Sequence, residues 1–116
     1  DDSSLYKQTF LSFTMKYDDQ LRIYSVLNAI PPGFVTSYGC VATLAQLPRG
    51  ARQVGRLLSQ LPAETTLPWH RVLRADGSIA FPLDSPSYRC QKQRLESEGV
   101  TVTQGRVDLS GFGWKG

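Results

Sequence analysis

The sequence predicts a mainly helical domain with a small β-hairpin, of the helix-turn-helix or winged-helix kind. Three observations predict it. Apolar residues recur at helical spacing in two segments, 41–47 and 51–61, joined by a short turn that holds Gly50. The second of these segments carries Arg52 and Arg56 off its apolar stripe. An Asp76-Gly77 pair lies between two β-prone runs, the pattern of a tight hairpin. The chain has 116 residues, 41% of them hydrophobic and 20% charged, which leaves room for one ordinary globular domain. No apolar run approaches the roughly 18–20 residues of a membrane-spanning helix, and no membrane partner is expected.

Each element has its own signal. Asp18 and Asp19 suit a helix N-terminus, and Ile23, Val26, Leu27 and Ile30 then fall at i, i+3, i+4 and i+7. Pro31-Pro32-Gly33 ends that helix, Phe34-Val35-Thr36 is extended, and Ser37 caps a second helix with Val41, Leu44 and Ala45 on one face. Pro48-Arg49-Gly50 is a tight turn. The third helix starts near Ala51 and buries Val54, Leu57, Leu58 and Leu61, while Arg52, Gln53, Arg56 and Ser59 face elsewhere. Residues 62–68 read as a loop, and 70–74 with 78–81 as the hairpin arms. Ser85-Pro86 opens a fourth helix that Gly99 stops, with Tyr88 and Leu95 as its few apolar anchors. Segments 100–102 and 106–109 read as short strands around Gln104-Gly105. Residues 1–18 are expected to be an extension, disordered or non-native, ahead of a domain over 19–116.

The net charge of +3 is unevenly spread: between residues 20 and 75 six arginines face a single acid, Glu64, and no lysine occurs. Arginine suits phosphate forks and flat stacking, so a segregated arginine surface points to an acidic partner such as nucleic acid. Two isolated cysteines and one histidine fit neither a disulfide framework nor a metal site, and no cofactor is expected. A reduced compartment is expected, cytoplasmic and nucleoid-associated in a bacterium or nuclear in a eukaryote, with the protein a monomer.

Three constellations carry chemistry. Tyr38, Arg52 and Arg56 on the helix-turn-helix, with the small Gly50 and Ala51 in its turn, fit a nucleic-acid surface, or else a helical core with solubilising arginines. Trp69 beside His70 offers a flat apolar wall and a proton-handling group, or else a core tryptophan with a hydrogen-bonded imidazole. Glu96 and Glu98, two apart on a helix, face different directions and make a poor catalytic pair, although Glu98 can turn towards His70. No GxSxG elbow is present, Cys40 reads as a small filler, and Cys90 sits on a charged helix.

Pro68-Trp69-His70-Arg71-Val72 resembles the Pro-Cys-His-Arg-Val hallmark of the O6-alkylguanine-DNA alkyltransferase family. Ile30-Pro31-Pro32-Gly33-Phe34-Val35-Thr36-Ser37-Tyr38-Gly39, Ala51-Arg52-Gln53-Val54-Gly55 and Leu95-Glu96-Ser97-Glu98-Gly99-Val100 resemble further family segments, in the right order. The resemblance implies the fold of the alkyltransferase C-terminal domain. Trp69 stands where the family has its alkyl-accepting cysteine, and displacement on carbon needs a thiolate, so the resemblance narrows to the non-enzymatic alkyltransferase-like proteins. It implies double-stranded DNA containing O6-alkylguanine as ligand, nucleotide flipping, docking in the minor groove, and hand-over to nucleotide excision repair proteins. By the same resemblance Arg52 is the finger that fills the stack, Tyr38 crowds the backbone, and Gly50, Ala51 and Gln53 line the groove. Trp69 and the backbone of Val72 meet the base, and His70 and Glu98 are a vestigial relay. Leu61-Pro62 replaces the family's Asn-Pro, and the segment Phe81-Pro82-Leu83-Asp84 lacks a basic residue found in some relatives, leaving Phe81 and Leu83 as pocket candidates. The alternatives are a diverged alkyltransferase with residual activity through Cys40 or Cys90, and a winged-helix transcription regulator.

Overall fold

The computed structural model describes residues 17–116. The expected extension therefore lies outside the described residues, apart from Tyr17 and Asp18, which already belong to the first helix. Helix α1 (Tyr17–Ala29) buries Ile23 and Leu27 and is followed by buried Ile30 at the Pro31-Pro32-Gly33 stop. Strand β1 (Thr36–Ser37) leads directly into helix α2 (Tyr38–Leu44), whose first turn is capped by the Ser37 hydroxyl accepting from the Cys40 N–H at 3.1 Å. Helix α3 (Ala51–Ser59) buries Val54 and Leu57 against α2, completing the helix-turn-helix. A 3₁₀ turn (Trp69–Arg71) precedes strand β2 (Val72–Leu73). Helix α4 (Pro86–Ser97) is capped by Ser85, and a short helix α5 (Leu109–Phe112) by Asp108.

Two apolar clusters meet at the small sheet. One joins Ile23, Leu27, Ile30, Val41, Val54 and Leu57 to Val72; the other joins Val35, Leu95, Val100 and Val107 to Leu73. Successive strand residues point to opposite faces, so the two residues of β2 plug one cluster each. The chain's end returns to this point: the Trp114 N–H donates to the Val35 carbonyl at 2.7 Å, and the Trp114 side chain packs on the first cluster.

The β component differs from the expected hairpin. The Asp76-Gly77 turn does form, with the Asp76 carboxylate accepting from the Ser78 N–H at 3.0 Å, but its arms do not pair along their length. Residues 72–73 instead pair in parallel with 36–37, and 78–79 run against 105–107. His70 and Arg71 are drawn into the 3₁₀ turn, where the Arg71 N–H donates to the Pro68 carbonyl. The Arg74 N–H still donates to the Ser78 carbonyl, but the Val72 carbonyl accepts from Gln91 Nε2 at 3.0 Å and the arms pair no further. Gln104 and Gly105, both at positive φ, close a minimal antiparallel turn between Thr103 and Arg106, as their sequence suggests.

Candidate nucleic-acid interface

The helix-turn-helix turn is built for close approach. Gly50 precedes α3 and is buried, and a Cβ there would lie 2.7 Å from the Leu47 carbonyl oxygen and 2.9 Å from the Leu47 Cβ. The turn can only tighten this far with glycine, so Gly50 sets the angle of α3 rather than offering a contact surface. Ala51 is half-buried, while Arg52 and Gln53 are exposed on the first turn of α3. Among the described residues Arg52 has no ion-pair partner. A free guanidinium and unpaired helix N-terminal amides on one turn make a site for a phosphate backbone.

Tyr38, at the first position of α2, packs over Gly55 of α3, where a Cβ would come within 3.9 Å of the Tyr38 ring. Burial raises the phenol above its usual value, with the Arg74 charge opposing, so Tyr38 stays a protonated donor at neutral pH. A cavity of about 370 Å³ opens between the helix-turn-helix and the turn after the 3₁₀ segment, lined by Tyr38, Ala51, Arg52, Gly55, Trp69 and Phe81 among others. Trp69 is half-buried and fixed from three sides: edge-on to His70 (6.3 Å), edge-on to Phe81 (6.1 Å), and beneath the Arg94 guanidinium (5.4 Å).

Behind the tryptophan lies a charged clamp. The Glu98 carboxylate accepts from His70 Nε2 at 2.8 Å, from Arg71 Nε and Nη2 at 3.0 and 2.6 Å, and from the Gly33 N–H at 3.3 Å. Arg71 Nη1 also donates to the Ile30 carbonyl at 2.8 Å, so one side chain ties the end of α1, the 3₁₀ turn and the end of α4 together. Burial works to raise the Glu98 pKa, but the donors from Arg71, His70 and Gly33 outweigh it and hold the carboxyl at about 2. Burial lowers the His70 pKa against the pull of Glu98, so the ring is neutral at pH 7. Because an ionised carboxylate only accepts, the single imidazole proton sits on Nε2. Nδ1 is left as a buried acceptor with no hydrogen bond among the described residues.

The expected site residues thus fall into three groups. Tyr38, Ala51, Arg52 and Trp69 share the cavity; His70 and Glu98 form the expected pair next to it. Val72 stands apart: it is fully buried in the core, its N–H donates to the Trp69 carbonyl, and its own carbonyl accepts from Gln91 Nε2 at 3.0 Å. The Val72 side chain lies in the core and its N–H supports the Trp69 turn. Of the two pocket candidates, Phe81 lines the cavity and Leu83 is 73% exposed. Gln91 and Arg94 were not legible as site residues, since on a charged helix neither an amide nor one more arginine is distinctive. Among the described residues no group of three or more His, Cys, Asp or Glu side chains is placed to hold a metal ion.

Residues 18–100 match the family model described as 6-O-methylguanine DNA methyltransferase, DNA binding domain. The DNA base-flipping protein of Escherichia coli (strain K12) is 48% identical over 94 residues, covering 80% of this chain and 71% of that one. Alkyltransferase-like protein 1 of Schizosaccharomyces pombe is 37% identical over 99 residues, covering 81% of this chain and 92% of that one. The crystal structure of S. pombe Atl1 in complex with damaged DNA containing O6-carboxymethylguanine is similar with a TM-score of 0.80 at 36% identity, over 88% of this chain and all of that one. A DNA complex of Mycobacterium tuberculosis OGT follows at a TM-score of 0.61 and 32% identity, over 72% of this chain and 50% of that one. The cavity at a helix-turn-helix, with tryptophan in its Pro-x-His-Arg-Val segment, sits in a chain that belongs to the alkyltransferase DNA-binding-domain family and shares its fold with the alkyltransferase-like, base-flipping proteins.

Proposed function

We propose that this protein is a non-enzymatic sensor of O6-alkylguanine in double-stranded DNA. One observation carries the reading: a base-sized cavity runs from Tyr38 and Arg52 on the helix-turn-helix to Trp69, and its end wall is an indole where transfer would need a thiolate. Extruding a nucleotide costs a few kcal/mol of stacking, which a flat cation inserted in its place offsets. Arg52, exposed and without an ion-pair partner among the described residues, lines the cavity and supplies that cation in this reading, and Tyr38, which also lines it, crowds the sugar–phosphate of the departing nucleotide. Docking in the minor groove suits a sensor, because base reading there is degenerate and every sequence context can be scanned. The bound, bent site is then a mark that nucleotide excision repair proteins take over.

Residual alkyl transfer has one observation in its favour. Cys90 is half-buried and lines the compartment that adjoins Trp69, whereas Cys40 is exposed near Leu44 and Trp114, outside both. The Cys90 thiol has no hydrogen-bonded base among the described residues, and His70 directs its only proton to Glu98. Incubation with a duplex carrying radiolabelled O6-methylguanine separates the readings. The protein should retain the duplex and acquire no label; label on protein contradicts the sensor reading, and its loss in Cys90→Ser would identify the acceptor. Trp69→Cys should recover little or no transfer, because a nucleophile must be held within about 0.5 Å of its productive place. Rapid labelling of that variant would mean that the His70–Glu98 pair still supports a thiolate.

A further inference from the structure

The two short strands end side by side. Thr36 pairs with Val72 and Ser37 with Leu73 in parallel, so the next residues in that register, Tyr38 and Arg74, are neighbours where both strands leave the sheet. Tyr38 turns into α2 and lines the cavity, while Arg74 opens the Asp76-Gly77 turn and is exposed. The Arg74 charge reaches the Tyr38 phenol, where it works against the effect of burial. Arg74 Nη2 donates to the Ala80 carbonyl at 3.2 Å, and Ala80 lines the cavity although Arg74 does not. The guanidinium is therefore tied to the cavity wall from outside. The nearest acid in sequence is Asp76, whose carboxylate already accepts from Arg106 at 3.2 Å and from the Ser78 N–H and hydroxyl. Among the described residues Arg74 has no carboxylate partner.

An arginine held in this way has a defined place and an uncompensated charge, and its planar fork matches the oxygens of a phosphate. When a nucleotide leaves the stack, its base enters the protein and its two phosphodiesters stay with the strand outside. Tyr38 lines the cavity, and Arg74 stands next to it, exposed and clear of the space the base would fill. We infer that Arg74 is a positioning residue, which holds a phosphodiester flanking the extruded nucleotide on the strand that carries the lesion. Its task differs from that of Arg52: one guanidinium fills the gap left by the base, the other grips the backbone of the nucleotide that left. The inference rests on the lesion-sensor reading above and adds a residue to it. Because the phosphate reaches Arg74 only when its base is in the cavity, the contact favours alkylated over intact DNA rather than raising affinity for both alike.

The test pairs protein variants with duplexes in which single phosphates are made neutral. A duplex with one O6-methylguanine is prepared with a methylphosphonate at either phosphate flanking that nucleotide, or at a phosphate of the opposite strand. Each is titrated against the wild type, Arg74→Gln and Arg74→Lys at one fixed salt concentration, beside the all-phosphate lesion duplex and its unmodified twin. Arg74→Gln should weaken binding to the all-phosphate lesion duplex by about fivefold, the scale of one exposed charge-assisted pair, and should weaken the unmodified twin less. Neutralising one of the two flanking phosphates should weaken the wild type by a similar factor. The two changes combined should lose no more than either alone, and Arg74→Lys should keep part of this coupling. A mere loosening of the turn through the lost Ala80 bond would multiply with every methylphosphonate and give no coupling. Losses that multiply at both flanking phosphates, coupling to the opposite strand, or equal weakening of the lesion duplex and its twin in Arg74→Gln overturns the inference, while a wild-type preference for the lesion leaves the sensor reading standing. Equal wild-type affinity for the lesion duplex and its twin overturns lesion sensing and this inference with it.

Discussion

Glu98→Ala is expected to lower the stability of the fold by about 2–4 kcal/mol, the largest single effect foreseen for a side chain outside the apolar core. The carboxylate is 16% exposed and accepts from the Arg71 guanidinium, from the neutral His70 ring and from one backbone amide. Removing it strands the Arg71 guanidinium with only the Ile30 carbonyl and leaves His70 without its acceptor. Breaking such a pair from one side costs more than the pair itself contributes, because the remaining charge is left partly desolvated. The modest exposure of the site brings the figure to the lower part of that range. The pH dependence follows from the same contacts. Glu98 titrates at about 2 in the fold against an ordinary value of 4.5, so its contribution is complete above 4.5 and is lost as the pH falls towards 2. His70, also lowered, contributes in the same direction: its share is present above its ordinary 6.5 and is lost as the pH falls through its folded value. Urea unfolding between pH 7 and 3 measures both. The wild type should lose stability steadily on acidification, and Glu98→Ala should be weaker at pH 7 yet flatter below pH 4.5. Equal stability at pH 7 with an unchanged acid profile would show that the clamp does not hold these elements together.

Arg52→Ala should weaken binding to an O6-alkylguanine duplex by about 1–3 kcal/mol, equivalent to roughly 5- to 150-fold. Two losses combine. The flat cation that fills the vacated stack is gone, and so is a positive charge on the first turn of α3. They can be separated: the charge shows in the salt dependence, which should fall by about one ion, whereas the stacking loss persists at high salt. Arg52→Lys should restore the salt slope but only part of the affinity, since an ammonium does not stack. Titration by fluorescence anisotropy at two salt concentrations resolves the two terms. Unchanged affinity in Arg52→Ala would remove the finger role, and a loss confined to low salt would reduce Arg52 to a phosphate contact.

What the sequence disclosed, and what it did not, divides along the range of the interactions. The helices were legible because their information is local. Ser37 and Ser85 cap, Ile23, Leu27 and Ile30 keep a helical stripe, and Pro31-Pro32-Gly33 stops it. The parallel pairing of Thr36 with Val72 was not, since nothing near either residue encodes a partner 36 positions away. The hairpin reading failed for that reason: the Asp76-Gly77 turn is local and forms, while its arms answer to distant strands. The same division runs through the site. Tyr38, Arg52, Trp69 and the His70–Glu98 pair were identified from motifs and come together in space. Nothing local marks Gln91, yet it is 1% exposed and its amide bridges the carbonyls of His70 and Val72. Only the position of those carbonyls, set by the 3₁₀ turn, makes that burial tolerable. The Val72 side chain is likewise part of the core, which its apolar character alone would suggest.

The account rests on the claim that the cavity at Trp69 receives an alkylated guanine without reacting with it. A paired equilibrium titration addresses this directly, with one duplex carrying a single O6-methylguanine and its unmodified twin at the same salt concentration. The account predicts tighter binding to the alkylated duplex, by tenfold or more on the scale of a few kcal/mol of flipping discrimination, with the lesion recovered unchanged from the complex. Equal affinity for the two duplexes, or recovery of unmodified guanine from the complex, would contradict it.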